Sequence, residues 1–290
     1  SEATPTIRPT STASPIPPTL AATLTLSPNP SRTPYPTSTP TRTKEVTLIT
    51  MTVVYDNNPY DPSLTTGWGF ACLIERPDLT LLFDTGGDGA VLLKNMETLD
   101  KDPAAVDLVM LSHEHGDHTG GLPRLLDVMA QTERPLPEVV VPTAFAPSFK
   151  AQIRERTELV EVSKPVNVRP GVWSTGQVDG PVNEQAVAIR TTAGWVVVTG
   201  CAHPGVEAMT ERALEATGGP ITLVVGGYHL RSASTQRIER TIKALQAMDV
   251  DAVGPTHCTG DKARAMFAKA YGDGYHEVGV GYTLEFEYQP

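Results

Sequence analysis

Three imidazoles and a carboxylate, His113, His115, Asp117 and His118, lie within six residues, directly after the run Val106-Asp107-Leu108-Val109-Met110-Leu111. That run is apolar at all but one position, which suits a strand covered on both faces, and a strand of that kind belongs inside a layered α/β fold. The polar cluster therefore sits just beyond a strand end. Residues two apart in an extended segment point the same way, so His113 and His115 can grip one ion, and a turn at Gly116 lets Asp117 and His118 face a second. Neutral imidazole and carboxylate are usual zinc ligands and acceptable to iron or manganese, so the set defines a site more firmly than it names the metal. The competing readings are weaker. A solvated His-rich loop does not account for the histidines that recur downstream, and a helical zinc-protease motif fails because Asp117 stands where its second histidine would be needed.

The recurrence strengthens the site. From Gln185 onward a hairpin about Ala193-Gly194 gives way to a strand-loop-helix alternation. Its strand ends fall at Gly200-Cys201-Ala202-His203-Pro204-Gly205, Gly226-Gly227-Tyr228-His229-Leu230 and Gly254-Pro255-Thr256-His257-Cys258-Thr259-Gly260. Helices are expected over 206–217, 235–248 and 262–271. Six of the seven histidines thus lie at a strand end beside small residues, and His276 alone is outside the pattern. Loops at one edge of an open α/β sheet are where distant segments converge on a ligand. Earlier in the chain, strands are expected over 46–55, 70–75, 79–84 and 138–141, with helices through about Leu99, over 122–129 and over 146–157. The region 160–180 reads as broken β and loop, and 279–287 as a closing strand. The glycine-rich turn Thr85-Gly86-Gly87-Asp88-Gly89 is a simple tight turn or, less economically, a phosphate cradle.

Residues 1–44 are dominated by Thr, Pro and Ser and read as an extended, semi-rigid stalk, since prolines favour polyproline II and few apolar residues are present to offset ordering. A stalk of that kind suits an exported or envelope-associated domain anchored through a segment ahead of it; a cytoplasmic disordered tail is the alternative. These residues carry +3 of the net charge of -10, so the domain at 45–290 carries -13. That balance argues against a nucleic-acid partner and for a small-molecule substrate. Three cysteines without a Cys-x-x-Cys pair do not make a disulfide framework, and no apolar run is long enough to span a bilayer.

With His-x-His-x-Asp-His after a strand, the chain from about Val46 to Glu287 resembles the metallo-β-lactamase superfamily. Seven ordered motifs further resemble its dihydropterin-ribofuranosylaminobenzene-phosphate synthase-like branch: Trp68-Gly69, Leu82-Phe83-Asp84-Thr85-Gly86, Leu111-Ser112-His113, Glu184-Gln185, and the three strand ends bearing His203, His229 and His257. The resemblance implies an αββα sandwich of two mixed sheets with a binuclear site at one edge. It implies that His113 and His115 hold one metal and Asp117 and His118 the other, with His203 and His257 completing the set. The late aspartate that bridges the metals in many members has no counterpart in these motifs, which leaves His203 or His229 to take its place. Asp84 resembles the buried carboxylate beneath the metal loop; an ordinary turn-initiating Asp is the alternative.

The function expected is hydrolysis of a small ester or phosphoester. Two divalent ions, zinc by default, would hold a hydroxide that Asp117 fixes, and His229 would donate to developing negative charge. Glu184, Tyr228 and Arg231 are the candidate substrate contacts, although a packed Tyr and an exposed Arg are the blander readings of the last two. Cys201 and Cys258 are either soft ligands or small buried residues. Two other functions stand beside hydrolysis: the condensation that the branch name implies, in which an aromatic amine phosphate displaces diphosphate from a dihydropterin, and a metal-stabilised binding protein without turnover.

Overall fold

The β-branched run after Glu45 forms β1 (Thr47–Asp56), and the expected hairpin follows as β2 (Phe70–Arg76) and β3 (Leu79–Phe83), in a computed structural model that describes residues 47–288. The stalk reading of residues 1–44 lies outside the described residues. Helix α1 (Gly89–Thr98) comes next, capped by Asp88, whose Oδ1 accepts from the amides of Ala90 and Val91. Those donors are what a phosphate would need, so the Thr85–Gly89 loop is a tight turn and not a cradle. A 3₁₀ turn leads to β4 (Leu108–Met110), the single-turn helix α2 (Gly116–Thr119) and α3 (Leu122–Met129). Then come β5 (Glu138–Pro142), α4 (Pro147–Arg154) and β6 (Leu159–Val162).

The broken region resolves into β7 (Val166–Arg169) and β8 (Val172–Ser174), and the second hairpin into β9 (Val187–Arg190) and β10 (Trp195–Thr199). The strand-helix alternation runs α5 (Val206–Thr217), β11 (Ile221–Gly227), α6 (Thr235–Ala247), β12 (Ala252–Thr256) and α7 (Asp261–Tyr271). Strand β13 (Thr283–Tyr288) returns to pair antiparallel with β1.

Two mixed sheets result, as the resemblance implies. One has the order β13-β1-β2-β3-β4-β5-β6 and is parallel from β3 to β6; the other has the order β12-β11-β10-β9-β8-β7 and is parallel from β10 to β12. The period-2 alternation of strand side chains sorts the core into layers. Leu108 and Met110 of β4 meet Val196 and Val198 of β10 between the sheets. Val109 turns to the opposite face with Leu92, Leu125 and Leu126, while Val197 turns to Met209, Ile238 and Phe267. Each face is covered, so the order of layers is helices, sheet, sheet, helices. Fully burying one such side chain contributes roughly 1.5–3 kcal/mol.

Connections between the parallel strands are helical, so β3, β4, β10, β11 and β12 all end at one edge. Gln185 sews the sheets together there. Its amide nitrogen donates to the carbonyls of Leu111 (2.8 Å) and Val140 (3.1 Å), its backbone N–H to Ser112, and its Oε1 accepts from Ser174.

Candidate metal centre

Beyond β4 the chain turns sharply. His115 precedes α2 and remains exposed, His113 and His118 are fully buried, and Asp117 is partly buried. The Nε2 of His113 and the Nδ1 of His115 face one another at 3.1 Å. Each buried ring is anchored through its other nitrogen: His113 Nδ1 lies 2.8 Å from Ser112 Oγ, and His118 Nδ1 lies 2.7 Å from Asp84 Oδ2. Asp84 also accepts from the Ser112 hydroxyl and amide, each at 2.7 Å. A carboxylate that fixes the ring orientation and tautomer of a ligating histidine is the usual second layer of a metal site.

The second sheet supplies the rest. Cys201 Sγ lies 3.2 Å from His118 Nε2, and His257 Nε2 lies 3.4 Å from Asp117 Oδ2. His257 Nδ1 is held by Asn57 Oδ1 at 2.7 Å. The ring of His203 meets those of His113 and His115 edge-on, with centroids 4.8 and 4.9 Å apart. Two sets of donors follow, each mutually within 4.8 Å: Asp117, His118, Cys201 and His257, and His113, Cys201 and His203. His229 is exposed and stands beside the second set, its ring 4.2 Å from that of His203. It forms a third set with Cys201 and Cys258.

Backbone strain concentrates here. Of the six non-glycine residues with positive φ among the described residues, four are Asp84, Ala202, His229 and His257. Such conformations cost about 1–3 kcal/mol each and persist where surrounding contacts hold them. For Ala202 the holding group is Glu184, whose carboxylate accepts from the amides of Cys201 (2.8 Å), Ala202 (2.8 Å) and His203 (2.9 Å). At Gly200 a side chain is excluded altogether, since a Cβ would stand 2.0 Å from Ser112 Oγ.

Two carboxylates, Asp84 and Asp117, flank the His118 ring. Burial works against an ionised Asp117, but the His257 imidazole beside it and the charge of His118 hold its carboxyl well below the usual carboxylate range. Burial likewise opposes a charged His118, yet Asp84 and Asp117 push it up to about 9. Burial, with the neighbouring imidazoles, brings His203 down to about 4. Within this cluster two buried nitrogens, His203 Nε2 and His257 Nε2, have no hydrogen-bond partner among the described residues. An unpartnered buried nitrogen is costly, and here both aim into a cluster of nitrogen, carboxylate and sulfur donors, so the residues fit divalent ions.

Two expected substrate contacts are corrected. Glu184 is fully buried and its oxygens are taken by three amides, so it shapes the Cys201–His203 loop instead of facing a substrate. Tyr228 is also buried, its hydroxyl donating to the Val224 carbonyl at 2.7 Å and its ring packed on Phe267. Arg231 does border the site. It stands with half-exposed Trp68, Asn57, Lys262 and His257 around a cleft of about 570 Å³, its guanidinium 5.1 Å from the Trp68 ring centre. Cys201 belongs to both donor sets, whereas His203 belongs to one of them and His229 to neither. Asn57, the anchor of His257, went unread because it lies 200 residues away in the chain.

A family model described as "Beta-lactamase superfamily domain" matches residues 80–258. Among curated proteins, the 7,8-dihydropterin-6-methyl-4-(beta-D-ribofuranosyl)-aminobenzene-5'-phosphate synthase of Methanocaldococcus jannaschii is 28% identical over 250 residues, covering 71% of this chain and 84% of that one. Among solved structures, Tm1679, described as a metal-dependent hydrolase of the beta-lactamase superfamily, is 25% identical with a TM-score of 0.68, covering 82% of this chain and 99% of that one. The metallo-beta-lactamase fold protein YhfI from Bacillus subtilis shares the fold at 16% identity and a TM-score of 0.60, over 81% and 99% of the two chains. With the family model spanning more than half its length and the fold shared with these proteins, the chain belongs to the beta-lactamase superfamily.

Proposed function

We propose that this chain is a metal-dependent hydrolase of a small, anionic ester or phosphoester, with two divalent ions of zinc type held in its site. His113, His115 and His203 would hold one ion, and Asp117, His118 and His257 the other. The observation that carries this reading is the pair of unpartnered buried nitrogens of His203 and His257, aimed into donors whose outer nitrogens are already anchored. Ions held there would supply Lewis acidity toward a carbonyl or phosphoryl oxygen and would lower the pKa of a water.

The side chains then divide the work. Ionised Asp117 accepts a hydrogen bond from the attacking water and orients it. His229, exposed at the rim, donates to the departing oxygen; its contact with Cys258 pushes its pKa up, which favours the donor form. Arg231 and Lys262 take the anionic group, and Trp68 offers a face to a ring. The same cleft favours a second reading, condensation at an aromatic phosphate, in line with the printed name of the Methanocaldococcus jannaschii relative.

Elemental analysis of protein purified without added metal, run with a hydrolysis screen over phosphodiesters, phosphomonoesters, lactones and β-lactams, tests the proposal. About two ions per chain and turnover of one class, abolished by chelation, are expected. Undiminished turnover by metal-free protein would contradict it, and two ions without hydrolysis of any class would favour condensation. His229→Ala should retain the ions while slowing hydrolysis about 10²-fold; loss of the ions instead would make His229 a ligand.

A further inference from the structure

Among the described residues, Cys201 alone belongs to every donor set. Its Sγ lies within 4.8 Å of the ligand atoms of Asp117, His118 and His257, and also of those of His113 and His203. The sulfur is buried and 3.2 Å from His118 Nε2. Its loop is tightly determined: Glu184 clamps the amides of residues 201–203, Gly200 admits no side chain against Ser112, and Ala202 is held at a positive φ of 58°. A small core residue would not need this scaffolding. Among the described residues Asp117 is the one carboxylate in either set, since Asp84 and Glu184 stand at the outer nitrogens of His118 and His113 instead.

From this placement we propose that Cys201 bridges the two ions as a thiolate, with one sulfur ligating the ion of the His113 set and the ion of the Asp117 set together. The inference rests on the two-ion reading above. Binding replaces the S–H bond with sulfur–metal bonds and releases the proton to water; no electron is transferred. Thiolate is a soft ligand, so the bridge biases the site toward zinc, cobalt or iron and away from magnesium or calcium, which prefer oxygen. Cys258 lies beside the bridge without belonging to either set, its Sγ 3.6 Å from the Cys201 carbonyl, and so serves as an internal control.

The test is a titration of metal-free full-length protein with Co(II), followed by sulfur-to-cobalt charge-transfer absorption and by bound metal per chain. Wild type should bind about two ions, with the sulfur band growing through both equivalents. Cys201→Ser should lose the band, and Cys258→Ser should keep it. Cys201→Asp should restore the second ion without the band, because a carboxylate can span the same position. Two bound cobalt ions without a sulfur band in wild type would overturn the bridge and leave the two-ion reading standing. A band that saturates at the first equivalent, or that survives in Cys201→Ser, would also overturn it. Failure of wild type to bind cobalt would sink both readings. If Cys201→Ser does not fold, the wild-type titration and Cys258→Ser still decide.

Discussion

Four side chains of the site, His113, His115, Asp117 and His118, come from one short stretch beyond β4, whereas Cys201, His203, His229 and His257 arrive on three separate strand ends of the other sheet. The first group is set by local geometry. An extended segment aligns His113 with His115, a single helical turn swings His118 inward, and the anchors Ser112 and Asp84 lie directly beneath. The second group is set by convergence. Its anchors are Glu184, which stands just before β9 of the same sheet, and Asn57, which lies 200 residues away beyond β1 of the other sheet, and three of its residues or their neighbours sit in left-handed backbone. A site assembled this way places its dense motif on one sheet and relies on sheet-to-sheet docking for the remainder. Errors in docking should therefore harm the second group first.

Removing a donor from the dense motif should have the largest effect. His115→Ala is expected to lose metal and activity together, with turnover falling by more than the roughly 10–100-fold typical of outer-layer changes; retained occupancy of both ions by elemental analysis would break the comparison. Next come the anchors. Asp84→Asn should weaken metal affinity about 10–100-fold in competition with a chelator, because it loosens His118 and Ser112 at once. Asn57→Ala, which frees only His257, should fall at the lower end of that range and affect one ion. Equal losses at Asp84 and Asn57 would erase the distinction between anchoring within one sheet and anchoring across the two.

Docking itself is tested at Gly200. Gly200→Ala forces a Cβ toward Ser112 and should destabilise the fold by about 1–3 kcal/mol in denaturant melts, with metal affinity reduced in step. The last effect concerns pH. Burial pushes the Asp56 carboxyl up from 3.8 to about 6, against hydrogen bonds from Asn58 and Thr256. The folded chain then keeps a proton that the unfolded chain has already lost, so this contribution is present below pH 4 and declines as pH rises to about 6. Asp56→Asn should flatten that slope, worth up to about 3 kcal/mol, in melts across this window.

The same contrast explains what sequence alone could reveal. Helices α3 and α5 coincide with the expected spans 122–129 and 206–217 because turn residues and periodicity bound them locally. The strand ends bearing histidine were legible for the same reason. Burial of a particular side chain is not a local property, so Glu184 and Tyr228 read as site residues although the fold closes over both. Cys201 was open to two readings, soft ligand or small buried residue. A cysteine after a buried strand looks like a small core residue until its neighbours across the sheets are known. Asn57 carries no local signal and Gln185 only its place in a motif, and the partners of both become evident only when the two sheets meet.

The most direct measurement is a crystal structure of the metal-loaded protein with anomalous scattering recorded at the metal edge. The account predicts two peaks on either side of Cys201 Sγ, one bordered by His113, His115 and His203 and the other by Asp117, His118 and His257. No peak in the cluster, or a single peak held by Cys201, His229 and Cys258 alone, would contradict it.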